Sequence, residues 1–332
     1  MQVSELADRL STRDENRIVI PLGDIALSDD ATTVTVRGQD IYLDEHGTAL
    51  LGKYLKIPGP YLKSCPADFR AQTLRYWMGR HAEADTVLET LGDSLISVHS
   101  PDLLMLPLEE VGAMISRVFA PDAEVRTLLR DDQRLHVDVT APAYAVEVPN
   151  PDRIPGRPEV GDITEGGVRF LAYPNKAQAP VVSSYLHRLV CTNGLTTDLK
   201  AGQITLKGRT VPEVLMEMEI AANEILGTLD ESLRDYAATA HMATPGTPLA
   251  FATQLMREAN LPVRVREAVT DNINQLPPNA SVYDVMQSLT QVANHGVTYA
   301  TQLRLQELGG QLGFDTEQTI RRCGTCEQLL GH

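Results

Sequence analysis

The sequence predicts an α+β fold, in which a mixed part of about 210 residues precedes a helical part of about 120 residues. In the first part, short apolar runs that suit strands alternate with helical patterns, and turn residues separate them. From residue 211 onward, apolar residues recur almost throughout at helical spacing between prolines. We therefore assign residues 1–210 to a mixed core domain and residues 211–332 to a helical region packed on it.

The strands and helices predicted for the first part are short and are bounded by Gly, Pro or Asp. Strands are predicted at 17–21, 33–38 and 166–173, hairpins at 87–100 and 123–140, and helices at 48–55, 67–80 and 106–119. Residues 141–160 contain five prolines, and this composition predicts a long loop within the domain.

The segment SSYLHRLVCTNGL at 183–195 is predicted to be an amphipathic helix that ends near Cys191. Tyr185, Leu186, Leu189 and Val190 would form its buried stripe, with Cys191 as small core filler. Asn193 and Gly194 tolerate a left-handed backbone, so they would cap the helix before a hairpin at 195–208. Arg188 would lie on the other side of this helix, available to a ligand.

The helical part opens with a recognisable start signal. Thr210 and Glu213 have the spacing of a capping box, with Pro212 in the first turn. The predicted helices are 211–240, 247–259, 262–273, 281–294 and 297–312, followed by a short helix in TEQTIRRCGTCEQLL.

Charge is unevenly distributed along this acidic chain, whose net charge is −15. Residues 53–80 and residues 169–209 each carry a net charge of +5, and both segments also contain aromatic residues. Basic side chains that follow a backbone, mixed with rings that stack on bases, suit single-stranded nucleic acid. The alternative is that the basic side chains pair with nearby acidic residues and that the aromatic rings belong to the core. The candidate binding residues are Lys53, Lys56, Lys63, Arg70, Arg75, Arg169, Lys176, Arg188, Lys200, Lys207 and Arg209.

The signals for catalysis are weak. Cys191 has His187 four residues before it, but a nucleophilic Cys prefers the start of a helix, so core packing is the favoured interpretation. Cys323 and Cys326 form one C-x-x-C with His332 nearby, and the sequence holds no second pair to complete a zinc site. The acids Asp152, Glu159, Asp162 and Glu165 would suit a hard cation, but such loops are usually solvated. No phosphate loop is present, so we expect no cofactor and lean against an enzyme.

Composition also bears on location. The sequence has no apolar run of the roughly 20 residues needed to span a membrane, and its polar start does not resemble a secretory signal. Four cysteines do not suggest a disulfide framework. We expect a cytoplasmic protein without membrane contact.

The stretch GDITEGGVRFLAYPNKAQAPVVSSYLHRLVCTNGL resembles the signature of the phage/plasmid-like protein family, whose domain has no assigned function. The matching positions are Gly161, Asp162, Arg188, Leu189, Cys191, Thr192, Asn193, Gly194 and Leu195. Softer similarity occurs at 50–66, 95–107 and 281–296, so the likeness spans about 40–315. One departure is LAYPNKAQAP, where the family has a Ser/Asn-rich turn ending in Glu and Gly.

The resemblance implies a role in the nucleic-acid metabolism of a mobile element. The predicted order of strands and helix is also compatible with oligomeric single-strand annealing proteins, by analogy of fold. Three hypotheses follow from the sequence. The chain is a non-enzymatic homo-oligomer that binds single-stranded nucleic acid, or an assembly protein that binds itself or a host protein, or a metal-dependent hydrolase or nuclease that uses the acids around Asp162.

Overall fold

Two β-sheets and eleven α-helices make up the part of the chain that this computed structural model describes. The described residues are 1–11, 15–130, 134–150, 153–154, 161–173, 179–189, 193–203, 210–293, 296–314 and 316–322. The predicted α+β class is confirmed: a mixed N-terminal part precedes a mostly helical C-terminal part.

The first sheet is built from six strands. Three helices lie between the strands that come fourth and fifth along the chain. In chain order these elements are α1 (Leu6–Ser11), β1 (Glu15–Pro21), β2 (Ala26–Leu27), β3 (Thr33–Val36), β4 (Gln39–Tyr42), α2 (Glu45–Tyr54), α3 (Gly59–Ser64), α4 (Ala67–Arg80), β5 (Asp85–Leu91) and β6 (Ser94–His99). The strand order is β1-β5-β6-β4-β3-β2. Ile41, Leu51, Leu74 and Leu88 bring the sheet and the helices α2 and α4 into one core.

The second sheet is an antiparallel meander, because its strand order follows the chain. After α5 (Leu108–Val118) come β7 (Glu124–Arg130), β8 (Leu135–Glu147), β9 (Ile163–Ala172), β10 (Val181–Arg188) and β11 (Asn193–Gln203). Helix α6 (Val211–Ala238) then contacts β8, β9 and β10. Val137 and Phe170 of the sheet share a core with Met114 of α5 and Met218 of α6. Helix α1 packs on α5 and joins this second core.

The remaining helices form a third core with the end of α6. They are α7 (Pro248–Glu258), α8 (Val263–Ile273), α9 (Val282–Ala293), α10 (Tyr299–Phe314) and α11 (Thr316–Arg322). Tyr236 of α6 and Tyr283 of α9 are fully buried there with edge-to-face rings, and Leu186 of β10 reaches the same cluster. Because α6 contributes to both the second and third cores, the domain division at residue 210 stays a prediction.

The predicted helix at 183–195 is wrong, since residues 183–188 belong to β10 and residues 193–195 begin β11. Every described residue from 182 to 188 is buried, on both faces of the sheet. A strand buried on both sides loses its alternation of apolar and polar residues and resembles a core helix in sequence. Val190 and Cys191 lie outside the described residues, Leu189 is exposed, and Asn193 and Gly194 begin β11 rather than cap a helix.

Two neighbouring predictions are also corrected. Strand β8 continues to Glu147, into the predicted loop at 141–160, and a shift of register between Thr140 and Ala145 accommodates Pro142. The predicted hairpin at 195–208 is a single strand as far as Gln203, and residues 204–209 lie outside the described part. Within the described ranges, no helix is long and apolar enough to cross a membrane.

Candidate nucleic-acid interface

Helix α4 presents an aromatic and basic surface opposite its buried side. Ala71, Leu74 and Met78 recur at helical spacing and face the first core. Phe69 and Tyr76 therefore point outward, and they are 48% and 59% exposed. Single exposed apolar residues are normal, whereas a group of exposed rings on one side of a helix marks a candidate interaction site.

Neighbouring side chains extend this surface along the same segment. Trp77 packs its ring against His81 in a stacked arrangement and against Tyr76 edge to face. Arg80 follows Tyr76 by one helical turn, and Tyr61 and Lys63 are exposed on α3. We name this surface the aromatic–basic face and define it as Tyr61, Lys63, Phe69, Tyr76, Trp77 and Arg80.

Several cations of the first basic segment are not committed to structural pairs. Lys53, Lys56 and Arg80 are exposed and form no ion pair with the described residues. Lys63 contacts Glu45 at 2.7 Å, which raises the pKa of Lys63 and lowers that of Glu45. Both partners are exposed, so water screens this pair and it contributes little to stability. These four cations remain accessible to a phosphate backbone.

The other two predicted cations of this segment have structural contacts. Arg75 donates to the carbonyl oxygen of Leu27 at 2.8 Å and to Asp29 at 2.6 Å, which ties α4 to the loop after β2. Arg70 donates to the carbonyl oxygen of Cys65 at 3.2 Å, at the junction of α3 and α4. These two arginines position the helix that carries the aromatic–basic face.

The second basic segment does not form a comparable surface in the described part of the chain. Arg169 is only 2% exposed, and its guanidinium donates to both carboxylate oxygens of Asp138 at 2.5 and 2.9 Å. It also donates to Gln306 of α10 at 2.9 Å. His136 contacts the same Asp138 at 2.8 Å. The expectation that Arg169 faces a ligand is therefore corrected: it joins the sheet to α10.

Arg188 is placed in a second buried ion pair. It is 4% exposed and donates to both oxygens of Asp162 at 2.5 and 2.7 Å. Tyr283 of α9 donates to the same carboxylate at 3.1 Å. The expected ligand contact of Arg188 is corrected for the same reason, since the side chain links β10 to α9. Lys200 lies in β11 with its side chain outside the described part, and Lys176, Lys207 and Arg209 lie outside it entirely.

Burial controls the titration of these two networks. Burial alone would raise the pKa of Asp138, but the charges of Arg169 and His136 outweigh it and hold this pKa well below its usual range. Burial raises the pKa of Tyr299, which contacts His136 at 3.0 Å, to about 12. Burial also raises the pKa of Tyr283. Asp138 is therefore an anion and both tyrosines are uncharged at neutral pH.

Of the predicted metal and catalytic candidates, the described acids Asp162 and Glu165 form structural ion pairs. Asp162 contacts Arg188, and Glu165 contacts Arg126 at 2.6 Å, so both carboxylates are already engaged. Across the ranges that the structure describes, no group of three His, Cys, Asp or Glu could hold a metal ion. Asp152, Glu159, Cys323, Cys326 and His332 lie outside those ranges, as does Cys191.

Comparison with known proteins adds no functional information. No protein-family model matches the chain, and neither the curated proteins nor the solved structures yield a match. The resemblance to the phage/plasmid-like family accordingly stays a prediction.

Counting charges along the sequence missed the difference between exposed and buried arginines. The signal available was the alternation in LHVDVT at 135–140, where His136 and Asp138 fall on the face opposite Val137 and Val139. Acids at such positions in a buried strand require cationic partners. Nothing in the sequence associates Tyr42 with the first basic segment, although Tyr42 lines the same cavity as Lys63 and Arg70.

Proposed function

We propose that this chain binds single-stranded nucleic acid without catalysing a reaction, through the aromatic–basic face. The observation that carries the proposal is the exposure of Phe69, Tyr76 and Trp77 beside cations that form weak pairs or none. Bases stack on exposed rings whatever their identity, and each stacked base contributes about 1–3 kcal/mol. A protein of net charge −15 repels a polyanion in general, so binding requires such a locally basic surface.

The predicted role in a mobile element belongs to the same proposal. The order expected from the sequence was strand-strand-strand-helix, whereas the structure has a meander of five strands followed by α6. The annealing-like version of the proposal therefore rests on an analogy of fold alone. Cytoplasmic location is likewise part of the proposal, since both phage and plasmid DNA are handled there.

The test is the binding of a fluorescently labelled single-stranded oligonucleotide, measured by anisotropy for the wild type, Tyr76→Ala and Val263→Ala. Val263 is a matched control, because it is an exposed apolar residue on α8, in the C-terminal helical part. We expect Tyr76→Ala to weaken binding about tenfold or more by loss of stacking, and Val263→Ala to leave it unchanged. Equal affinities for all three proteins, or no binding by the wild type, would refute the proposal.

Self-association is a second candidate function, and α6 carries the observation that favours it. Met216 and Ile220 lie one turn apart on α6 and are each at least half exposed. Met216 also lines a groove between α5 and α6, together with Ala113, Arg117 and Leu215. We expect Ile220→Glu to lower the mass measured by light scattering from that of an oligomer to that of a monomer. A wild-type monomer at high concentration would contradict this candidate.

A further inference from the structure

A cavity of about 580 Å³ lies beside the aromatic–basic face. It is bounded by the end of β4, the first turns of α2, the helix α3 and the start of α4. Its volume falls within the range of about 300–1,000 Å³ that is typical of small-molecule sites. Most of its exposed lining is apolar, and the residues that matter below are Tyr42, Asp44, Ala49, Lys63 and Arg70.

The polar groups of the cavity are unevenly satisfied. Asp44 caps α2 by accepting from the backbone nitrogen of Gly47 at 2.7 Å. Glu45 pairs with Lys63 at the rim. Arg70 also lines the cavity, and one of its terminal nitrogens donates to the carbonyl oxygen of Cys65. A guanidinium carries five N–H donors, so this contact leaves others for an anionic oxygen bound in the cavity.

The cavity also has a mostly apolar wall. Tyr42 lines it and is about half exposed, while Leu43 and Leu62 supply aliphatic surface. Two carboxylates balance the two cations of the lining, so an inorganic anion alone would gain little from net charge. A ligand with an aromatic ring and a single anionic group fits this combination better.

We propose that this cavity binds one nucleotide, with the base against Tyr42 and the apolar wall and the phosphate at Arg70 and Lys63. The inference deepens the proposed function and rests on it, because Lys63 belongs to both the cavity and the aromatic–basic face. A strand that stacks on Phe69 and Tyr76 continues along α3 and α4 to the cavity, which takes one base out of the stack. The cavity thus fixes the position of the strand, whereas the rings and cations of the face bind the strand whatever its base sequence.

The test uses ethenoadenosine monophosphate, a fluorescent mononucleotide, and ribose phosphate as a competitor without a base. Ala49 is exposed on α2 and lines the cavity, so Ala49→Phe fills the cavity without disturbing the core. Ala250→Phe is the matched control, since Ala250 is exposed in the first turn of α7 and does not line the cavity. Arg70→Gln is a second, independent variant, and Arg257→Gln on α7 is its charge control.

We expect the mononucleotide to bind the wild type and both controls, and to bind Ala49→Phe and Arg70→Gln about tenfold or more weakly. Ribose phosphate should compete poorly. The inference is overturned if the wild type does not bind the mononucleotide, if Ala49→Phe binds it as well as Ala250→Phe does, or if ribose phosphate competes equally. Thermal unfolding of each variant confirms that it is folded.

Oligonucleotide binding by the same proteins separates this inference from the proposed function. If the oligonucleotide binds Ala49→Phe and the wild type equally, the cavity does not take a base of the strand, and the inference fails while the proposed function stands. If the wild type binds the mononucleotide but no oligonucleotide, the proposed function fails, and the strand-anchoring role of the cavity fails with it.

Discussion

At the scale of single residues, the polar side of the second sheet depends on the ion pair between Asp138 and Arg169. Both groups are almost fully buried, and the geometry is bidentate. Two charges brought out of water are tolerated only when each satisfies the other. His136 and Gln306 complete the hydrogen bonding, so the network joins β8, β9 and α10.

Asp138→Asn should therefore destabilise the protein strongly. The substitution keeps the size of the side chain but removes the carboxylate charge that pairs with the buried guanidinium of Arg169. We expect a loss of about 3–5 kcal/mol in the free energy of unfolding, measured by urea denaturation. Asp122→Asn is a suitable control, since Asp122 is exposed in the turn before β7. A loss below 1 kcal/mol, roughly that of an exposed pair, would contradict the importance of this pair.

The same pair predicts how stability changes with pH. The pKa of Asp138 is lower in the folded protein than its ordinary value, so its contribution is complete above that value and is lost as the pH falls through the folded pKa. We expect the free energy of unfolding to decrease below about pH 4, and to decrease less steeply in Asp138→Asn. Identical slopes in the two proteins would show that other carboxylates cause the acid sensitivity.

At the scale of elements, the backbones of β8 and β9 approach each other closely beside the register shift in β8. Gly167 pairs with Thr140, where the register shifts, and a Cβ atom there would overlap the carbonyl oxygen of Val139. Only glycine fits this approach of two strands. Gly227 is the opposite case, because it lies exposed in the middle of α6 and a Cβ atom there would meet open space.

The two glycines give opposite predictions for the same substitution. Gly167→Ala should lower the free energy of unfolding by more than 2 kcal/mol, since one of the two strands must shift to relieve the overlap. Gly227→Ala should raise it by about 1 kcal/mol, because alanine favours a helix. Thermal unfolding followed by circular dichroism measures both. A tolerated Gly167→Ala would mean that the pairing of β8 with β9 is wrong.

Elements with a local signal were predictable from the sequence, and elements defined by long-range contacts were not. The capping box was confirmed, since the backbone nitrogen of Thr210 donates to Glu213 at 2.7 Å. Helix α4 was also confirmed, because its buried residues follow helical periodicity. Strand β10 was mistaken for a helix because the second and third cores and the polar side of the sheet bury both of its faces.

The candidate site was predictable in part for a similar reason. The sequence indicated the first basic segment and its aromatic residues, and the structure exposes most of them. It could not separate these from Arg169 and Arg188, because the acids that neutralise those arginines lie 31 and 26 residues away in the chain. Pairing across strands, rather than local composition, decides whether an arginine is buried or available.

At the scale of the whole molecule, the distribution of charge is the main constraint on function. A net charge of −15 opposes a nucleic-acid strand everywhere except where cations are exposed together. The first basic segment supplies such a place. In the described part of the second segment, Arg169 and Arg188 form buried ion pairs that join the sheet to α10 and α9. Strand binding should therefore respond to the exposed charges of the first basic segment, Arg80 among them, and not to charges elsewhere.

The most direct measurement is the dependence of oligonucleotide affinity on salt concentration, compared between Arg80→Ala and Arg257→Ala. Both substitutions remove one exposed positive charge, but only Arg80 belongs to the aromatic–basic face. We predict that Arg80→Ala reduces the slope of log affinity against log salt by about 0.7, the value for one phosphate contact on a single strand, and that Arg257→Ala leaves the slope unchanged. Equal slopes for the two variants, or binding that does not depend on salt, would contradict the account.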